Sequence, residues 1–245
     1  MDKLKTYLKH PLSFVLLILI GLASIITVAS IIFIIIYILV NGIPNLTTDL
    51  FSLHYNSKNQ SMLPSIFNTV FITFLTLLIA VPIGIFSAVY LVEYAKKGSK
   101  LVKVIRVTTE TLAGIPSIVF GLFGFLAFVI ALGWGYSMIA GVLTLVMMVL
   151  PTIIRTTEEA LLAVPNSYRE GSFGLGAGKI RTIFKIIVPT AIPGILSGVI
   201  LAIGRIVGET AALIYTSGTV AETATSLTDS ARTLSVHLYC LLSEG

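Results

Sequence analysis

Polar positions along this chain are sparse and clustered, and between them lie apolar stretches too long to show a strand or amphipathic-helix period. The first stretch, 12–40, is softened only by Ser13, Gly21, Ser24, Thr27 and Ser30. A second occupies 66–92 with Pro82 and Gly84 inside it, and a third, 111–132, is rich in Gly and Phe. The fourth and fifth are 137–154 and 190–214. A helix needs about 20 apolar residues to cross a bilayer core of about 30 Å, so the pattern predicts five membrane-spanning helices. Gly133-Trp134-Gly135-Tyr136 reads as a tight turn between the third and fourth, with aromatic rings suited to the membrane–water interface. The first run follows Lys3, Lys5 and Lys9, yet it is much longer than the apolar core of about 7–15 residues in a signal peptide, which favours a retained span. Five spans that start inside end outside, whereas 236–242 opens like another apolar run before stopping at Ser243-Glu244-Gly245. Either this stretch rests on the outer surface or the chain is a truncated product, and truncation is the expectation.

Composition supports the membrane assignment: 56% of the residues are hydrophobic and 11% charged, which excludes an ordinary soluble domain and a disordered chain. The net charge of +5 could suggest nucleic acid, but the basic residues follow the topology. Three precede the first span, five lie between spans two and three (Lys96, Lys97, Lys100, Lys103, Arg106), and five between spans four and five (Arg155, Arg169, Lys179, Arg181, Lys185). Only Lys58 and Arg232 occupy the alternate loops, and Arg205 sits within a span. This positive-inside bias places the N-terminus in the cytoplasm and leaves no nucleic-acid partner to invoke. The expected organisation is 1–65 as N-terminus, first span and outer loop, and 66–245 as the main transmembrane domain. Cys240 is the only cysteine, and His10, His54 and His237 are scattered, so neither a metal site nor a bound cofactor is expected.

Two constellations carry candidate chemistry. Gly171–Lys179 superficially resembles a phosphate-binding loop, but Phe173 and Ile180 stand where a Walker A loop requires Gly and Ser or Thr, and no strand precedes it. The segment reads better as a cytoplasmic helical hairpin. Pro165 ends the preceding 158–164 helix, Ser167 and Glu170 have capping-box spacing, and Gly174 and Gly176 can take the left-handed turn that stops a short helix. A membrane-surface helix that serves topology alone is the plainer alternative. The second constellation is Arg205 and Glu209, four apart in span five and expected to share a helix face and pair. An ionised group there is costly, so such residues usually line a pathway, and the planar guanidinium suits an oxyanion. A structural ion pair between packed helices is the alternative. Gly194/Gly198 and Gly204/Gly208 are two small-xxx-small pairs that would admit close helix approach.

The hairpin resembles the EAA loop of ABC importer permeases, Glu-Ala-Ala followed by Gly and then Ile-x-Leu-Pro at fixed spacings. Here Glu170, Gly171 and Ser172 are followed by Gly176 and by Ile186, Ile187, Val188 and Pro189, small residues standing for the two Ala and Val188 for Leu. Thr111–Gly124, Ile154–Ala160, Gly204–Ala211 and the Ser230–Tyr239 tail further resemble phosphate importer permeases, the PstA member more than PstC. The resemblance implies an all-α integral membrane protein, a MetI-like helical bundle with five of an expected six spans, in a bacterial inner membrane. It also implies a PstC-like second permease, two PstB-like ATPase subunits, a PstS-like extracytoplasmic phosphate-binding protein and phosphate as cargo. ATP hydrolysis would belong to the ATPase, with no catalysis by this chain. The EAA-loop residues would dock that ATPase, and Arg205 with Glu209 would line the phosphate path. A permease for phosphonate, sulfate or molybdate, a secondary anion transporter and a non-transporting scaffold are the rival readings.

Overall fold

Long apolar runs satisfy their backbone groups most simply as helices, and among the described residues all regular structure is helical. The computed structural model describes residues 11–96 and 98–244, so Lys3, Lys5, Lys9, His10, Lys97 and Gly245 lie outside it. The chain divides into two compact units, Met1–Leu50 and Phe51–Gly245.

In the first unit, α1 (Pro11–Gly42) is 32 residues long, about 48 Å at 1.5 Å per residue. Its large apolar side chains are exposed on every side. The hydroxyls that interrupt the run donate to carbonyls one turn back, Ser24 to Ile20 (2.8 Å), Thr27 to Ala23 (2.9 Å) and Ser30 to Ile26 (2.8 Å). The helix thereby needs no outside partner for them in hydrocarbon.

In the second unit, α2 (Leu63–Val89) runs into a wide turn, Tyr90–Tyr94, in which the N–H of Ala95 donates to the Tyr90 carbonyl (2.9 Å). α3 (Lys100–Ala113) precedes α4 (Ser117–Gly124), and α4 continues through a second wide turn, Phe125–Ala131. The expected third span at 111–132 is thus corrected: α3 and the α4 run meet at 102°. Pro116 has no N–H to continue α3 and biases Ile115 away from helical geometry, so the apolar Thr111-Leu-Ala belongs to the amphipathic helix before the bend. The turn at Gly133–Tyr136 forms, with positive φ at Gly133 and Gly135 and Trp134 stacked 5.8 Å from Phe128.

α5 (Met138–Leu162) is the central helix of the unit, packed against α2, α4 and the later α8. It runs past the expected end at 154 and absorbs most of the expected 158–164 helix. Its added turns are polar but partnered, by Arg155–Glu159 on the helix itself (3.0 Å) and by Arg106 of α3 against Glu158. α6 (Asn166–Gly174) and α7 (Lys179–Thr182) form the hairpin, and a third wide turn, Ile183–Ile187, joins α7 to α8 (Val188–Val207). A Cβ on Gly194 would lie 2.6 Å from Ala160 Cβ, and one on Gly198 would overlap the Thr156 hydroxyl, so this pair does seat α8 on α5. Gly204 has open space and Gly208 meets only its own helix, so the second pair makes no such approach. α9 (Ala211–Thr216) and α10 (Leu234–Glu244) complete the unit.

The 217–233 segment between α9 and α10 is pinned by buried Asn68 of α2. Its amide donates to the Glu222 and Arg232 carbonyls (3.0 and 3.2 Å) and accepts from the Ala224 N–H (3.0 Å). Among the described residues four helices are long and apolar enough to cross a membrane, and the count is five if the bent α3–α4 pair is taken as one span.

Candidate functional site

Pro165 ends the chain's exit from α5 in extended geometry, and α6 starts at Asn166. Ser167 therefore lies inside the first turn rather than at its cap, and the expected Ser167–Glu170 capping box does not form. Arg169 takes over the local work. Its guanidinium donates to the Val164 carbonyl (2.9 Å) and the Leu161 carbonyl (3.1 Å), where α5 ends and its last carbonyls lack helical donors. The same fork donates to Glu93 Oε1 from Nε (3.1 Å) and Nη2 (2.7 Å), and the two side chains are 16% and 10% exposed. Lys179, opening the second arm of the hairpin, lies 4.6 Å over the ring of Tyr94. Both contacts end on the wide turn Tyr90–Tyr94.

The turn of the hairpin is closed at Gly176, whose φ of +81° is costly for any residue with a Cβ. The Ala177 N–H donates to the Ser172 carbonyl (3.1 Å) and the Gly176 N–H to the Phe173 carbonyl (2.9 Å), the paired bonds of a glycine-terminated helix. Gly174 remains helical, so one of the two glycines expected to stop α6 does so. Ser172 is buried, with its hydroxyl 2.7 Å from that of Thr182, which joins the two arms. Ile186 and Val188 are partly buried on the way into α8, and Pro189 is exposed. Glu170 and Gly171 face outward, and among the described residues none bonds the Glu170 carboxylate. Around them Tyr168, Phe173, Leu175 and Ile180 are exposed, Leu175 at 90%. The polar hairpin thus carries an exposed apolar rim.

The second candidate is differently arranged. α8 ends at Val207 with Gly208 at its cap, so the helix stops between Arg205 and Glu209. Their expected pairing on one helical face is corrected: Glu209 Oε1 accepts instead from the N–H of Ala212 (3.1 Å), in the first turn of α9. Glu209 is buried there, beside donors that an acidic group satisfies well. Arg205 is half-buried, and among the described residues its guanidinium has neither a hydrogen bond nor an ion pair. No group of three His, Cys, Asp or Glu side chains among the described residues is arranged to hold a metal ion. Sequence reasoning missed Glu93, whose partner lies 76 residues away, and Asn68, 164 residues from Arg232.

A family model for the inner membrane component of binding-protein-dependent transport systems matches residues 80–234. The chain belongs to this family. The matched residues of this transport family include the hairpin, its seat on Glu93, Arg205 and Glu209. The chain is 38% identical over 200 residues to the probable ABC transporter permease protein YqgI of Bacillus subtilis, covering 81% of this chain and 68% of that one. It is 45% identical over 140 residues to the phosphate transport system permease protein PstA 1 of Mycobacterium tuberculosis, covering 57% and 45%. Against the PstA of Xylella fastidiosa it is 36% identical over 178 residues, covering 72% and 62%. The chain thus spans between about half and two thirds of the length of these relatives. In fold it is similar to a chain of the inward-facing MetNI methionine ABC transporter, with a TM-score of 0.52, 20% identity and coverage of 74% and 85%. The chain is accordingly an all-helical, multi-pass membrane protein with the fold of this permease class.

Proposed function

We propose that this chain is the PstA-like permease subunit of an ATP-driven phosphate importer. The observation that carries the proposal is the hairpin, a two-armed knob that exposes Glu170 and turns at Gly176, both at the EAA spacing, with Leu175 and Ile180 exposed beside them. It would dock an ATPase, whose closure moves α5 and α8 as rigid bodies. The phosphate transport names of the relatives support the cargo, as does an Arg205 fork that has no partner among the described residues. On this reading phosphate accepts hydrogen bonds from Arg205 during passage, and Glu209 acts beside it by holding the break between α8 and α9. The N-terminus and the hairpin lie in the cytoplasm. The partners are a PstC-like permease, two PstB-like ATPases and a PstS-like binding protein in a bacterial inner membrane.

The test is uptake of labelled inorganic phosphate by cells lacking their own PstA, supplied with the full-length natural protein and its companion subunits. Restored uptake that excess sulfate or molybdate does not suppress is expected. An assembled complex that retains its ATPase but moves sulfate, molybdate or nothing overturns the assignment.

A further inference from the structure

The hairpin has two covalent exits, through Pro165 into α5 and through Ile183–Ile187 into α8. α2 has none, yet its end touches both arms. Glu93 meets Arg169 on the first arm and Tyr94 meets Lys179 on the second. We propose that Glu93 is a positioning residue, and that its ion pair with Arg169 is the strut by which movement of the hairpin is passed to α2. This rests on the reading of the hairpin as the ATPase dock.

Four features set this pair apart from a surface salt bridge. Both side chains are largely desolvated, so screening by salt and loss to water are small. Arg169 is held at the same time by the Leu161 and Val164 carbonyls, so its fork has one orientation and moves with the end of α5 and the start of α6. Glu93 stands on a wide helical turn, a geometry often found where helices do functional work. The hairpin's exit into α8 is a wide turn too. Leu91 of one turn and Ile183 and Ile187 of the other lie in a single buried cluster with Ala88 and Leu161. The two helices that flank the hairpin's seat therefore meet through adaptable turns, while the charged pair above supplies the stiff connection. Lysine at 169 would keep the charge but could not reach the carboxylate and both carbonyls together.

The experiment uses the complete complex in vesicles: full-length permeases, ATPases and binding protein. Labelled inorganic phosphate accumulated per ATP hydrolysed is measured beside ATPase retention on pull-down. Glu93→Ala and Arg169→Lys should each lower the phosphate-to-ATP ratio by about tenfold while the ATPase stays bound and active, and their combination should be no worse than either alone. Where Glu93→Ala reduces the yield of complex, Glu93→Gln, which keeps an acceptor oxygen without the charge, should still lower the ratio by about threefold. An unchanged ratio in the single variants overturns the strut, as does a multiplied loss in the double variant or a parallel loss of the ATPase. If the unaltered complex transports phosphate but Gly176→Val leaves ATPase retention and uptake untouched, the docking reading fails first and the strut falls with it. If Gly176→Val impairs retention while Glu93→Ala transports normally, only the strut is wrong.

Discussion

Arg169 and Arg205 are both at least partly buried in the helical bundle, and they differ in what surrounds them. Arg169 is nearly enclosed, and its donors are distributed over one carboxylate, two backbone carbonyls and the Asn166 side-chain oxygen. Arg205 is half-buried and has no partner among the described residues, because the helix that carries it ends before Glu209. A saturated guanidinium has little left to offer a passing ion and is suited to holding elements together. An unsaturated one retains its fork for a ligand. On the proposed reading the same residue type serves as a fastener at 169 and as a contact for the cargo at 205.

The largest expected effect is at the contact. Arg205→Gln should reduce phosphate uptake to background while the complex still assembles and its ATPase still responds to the binding protein. Arg205→Lys should keep part of the uptake, since charge survives without the bidentate geometry. Full uptake by Arg205→Gln would erase the distinction drawn here.

Next in size is the turn that shapes the proposed docking knob. Gly176→Val imposes a Cβ at a positive φ, a strain of about 1–3 kcal/mol, and should weaken ATPase retention by about tenfold. Wild-type retention would show that the hairpin's shape does not matter to docking.

A smaller effect is expected from Glu209→Ala, which removes the acceptor for the Ala212 N–H and should cost about 1 kcal/mol in thermal unfolding. It also sharpens the comparison. Since Glu209 serves α9, adding Glu209→Gln to Arg205→Gln should not rescue uptake, and recovery in that double variant would restore the pairing that the geometry denies.

The smallest effect lies in the 217–233 segment. The Asp229 carboxylate accepts from the Ser226 and Thr225 N–H groups and from the Thr225 hydroxyl, which holds it below the usual carboxylate value. A lowered value in the folded protein means that the carboxylate's support is complete above the ordinary Asp pKa of about 3.9 and fades as pH falls below it through the folded value. Amide exchange at Thr225 and Ser226, corrected for intrinsic rates, should quicken on that acid side. Asp229→Asn should show the faster exchange already at neutral pH and then no further change.

The hydropathy of the chain was enough to read α1, α2, α5 and α8, and Pro165 with Gly176 marked the hairpin between the last two, because each signal is contiguous or closely spaced. What escaped was set by tertiary chemistry or by local breaks hidden in apolar runs. Thr111-Leu-Ala reads as membrane core until Pro116 is recognised as a stop, and Gly208 reads as a packing glycine although it terminates α8. Ser167 and Glu170 have the spacing of a cap, but Pro165 starts the helix too early for Ser167 to act as one. Glu93 could not have been chosen from sequence. It is one carboxylate at the end of an apolar helix, and its meaning depends on an arginine 76 positions later.

The hydroxyls of α1 carry a last implication. Ser24, Thr27 and Ser30 each close a bond on their own helix. None of these three hydroxyls needs a donor or acceptor on another helix, so none of them by itself fixes which face of α1 meets a neighbour. A single-residue insertion within 24–30, which turns the apolar pattern about the helix axis, should therefore be tolerated better than one in α2 or α5, where buried side chains pack against other helices.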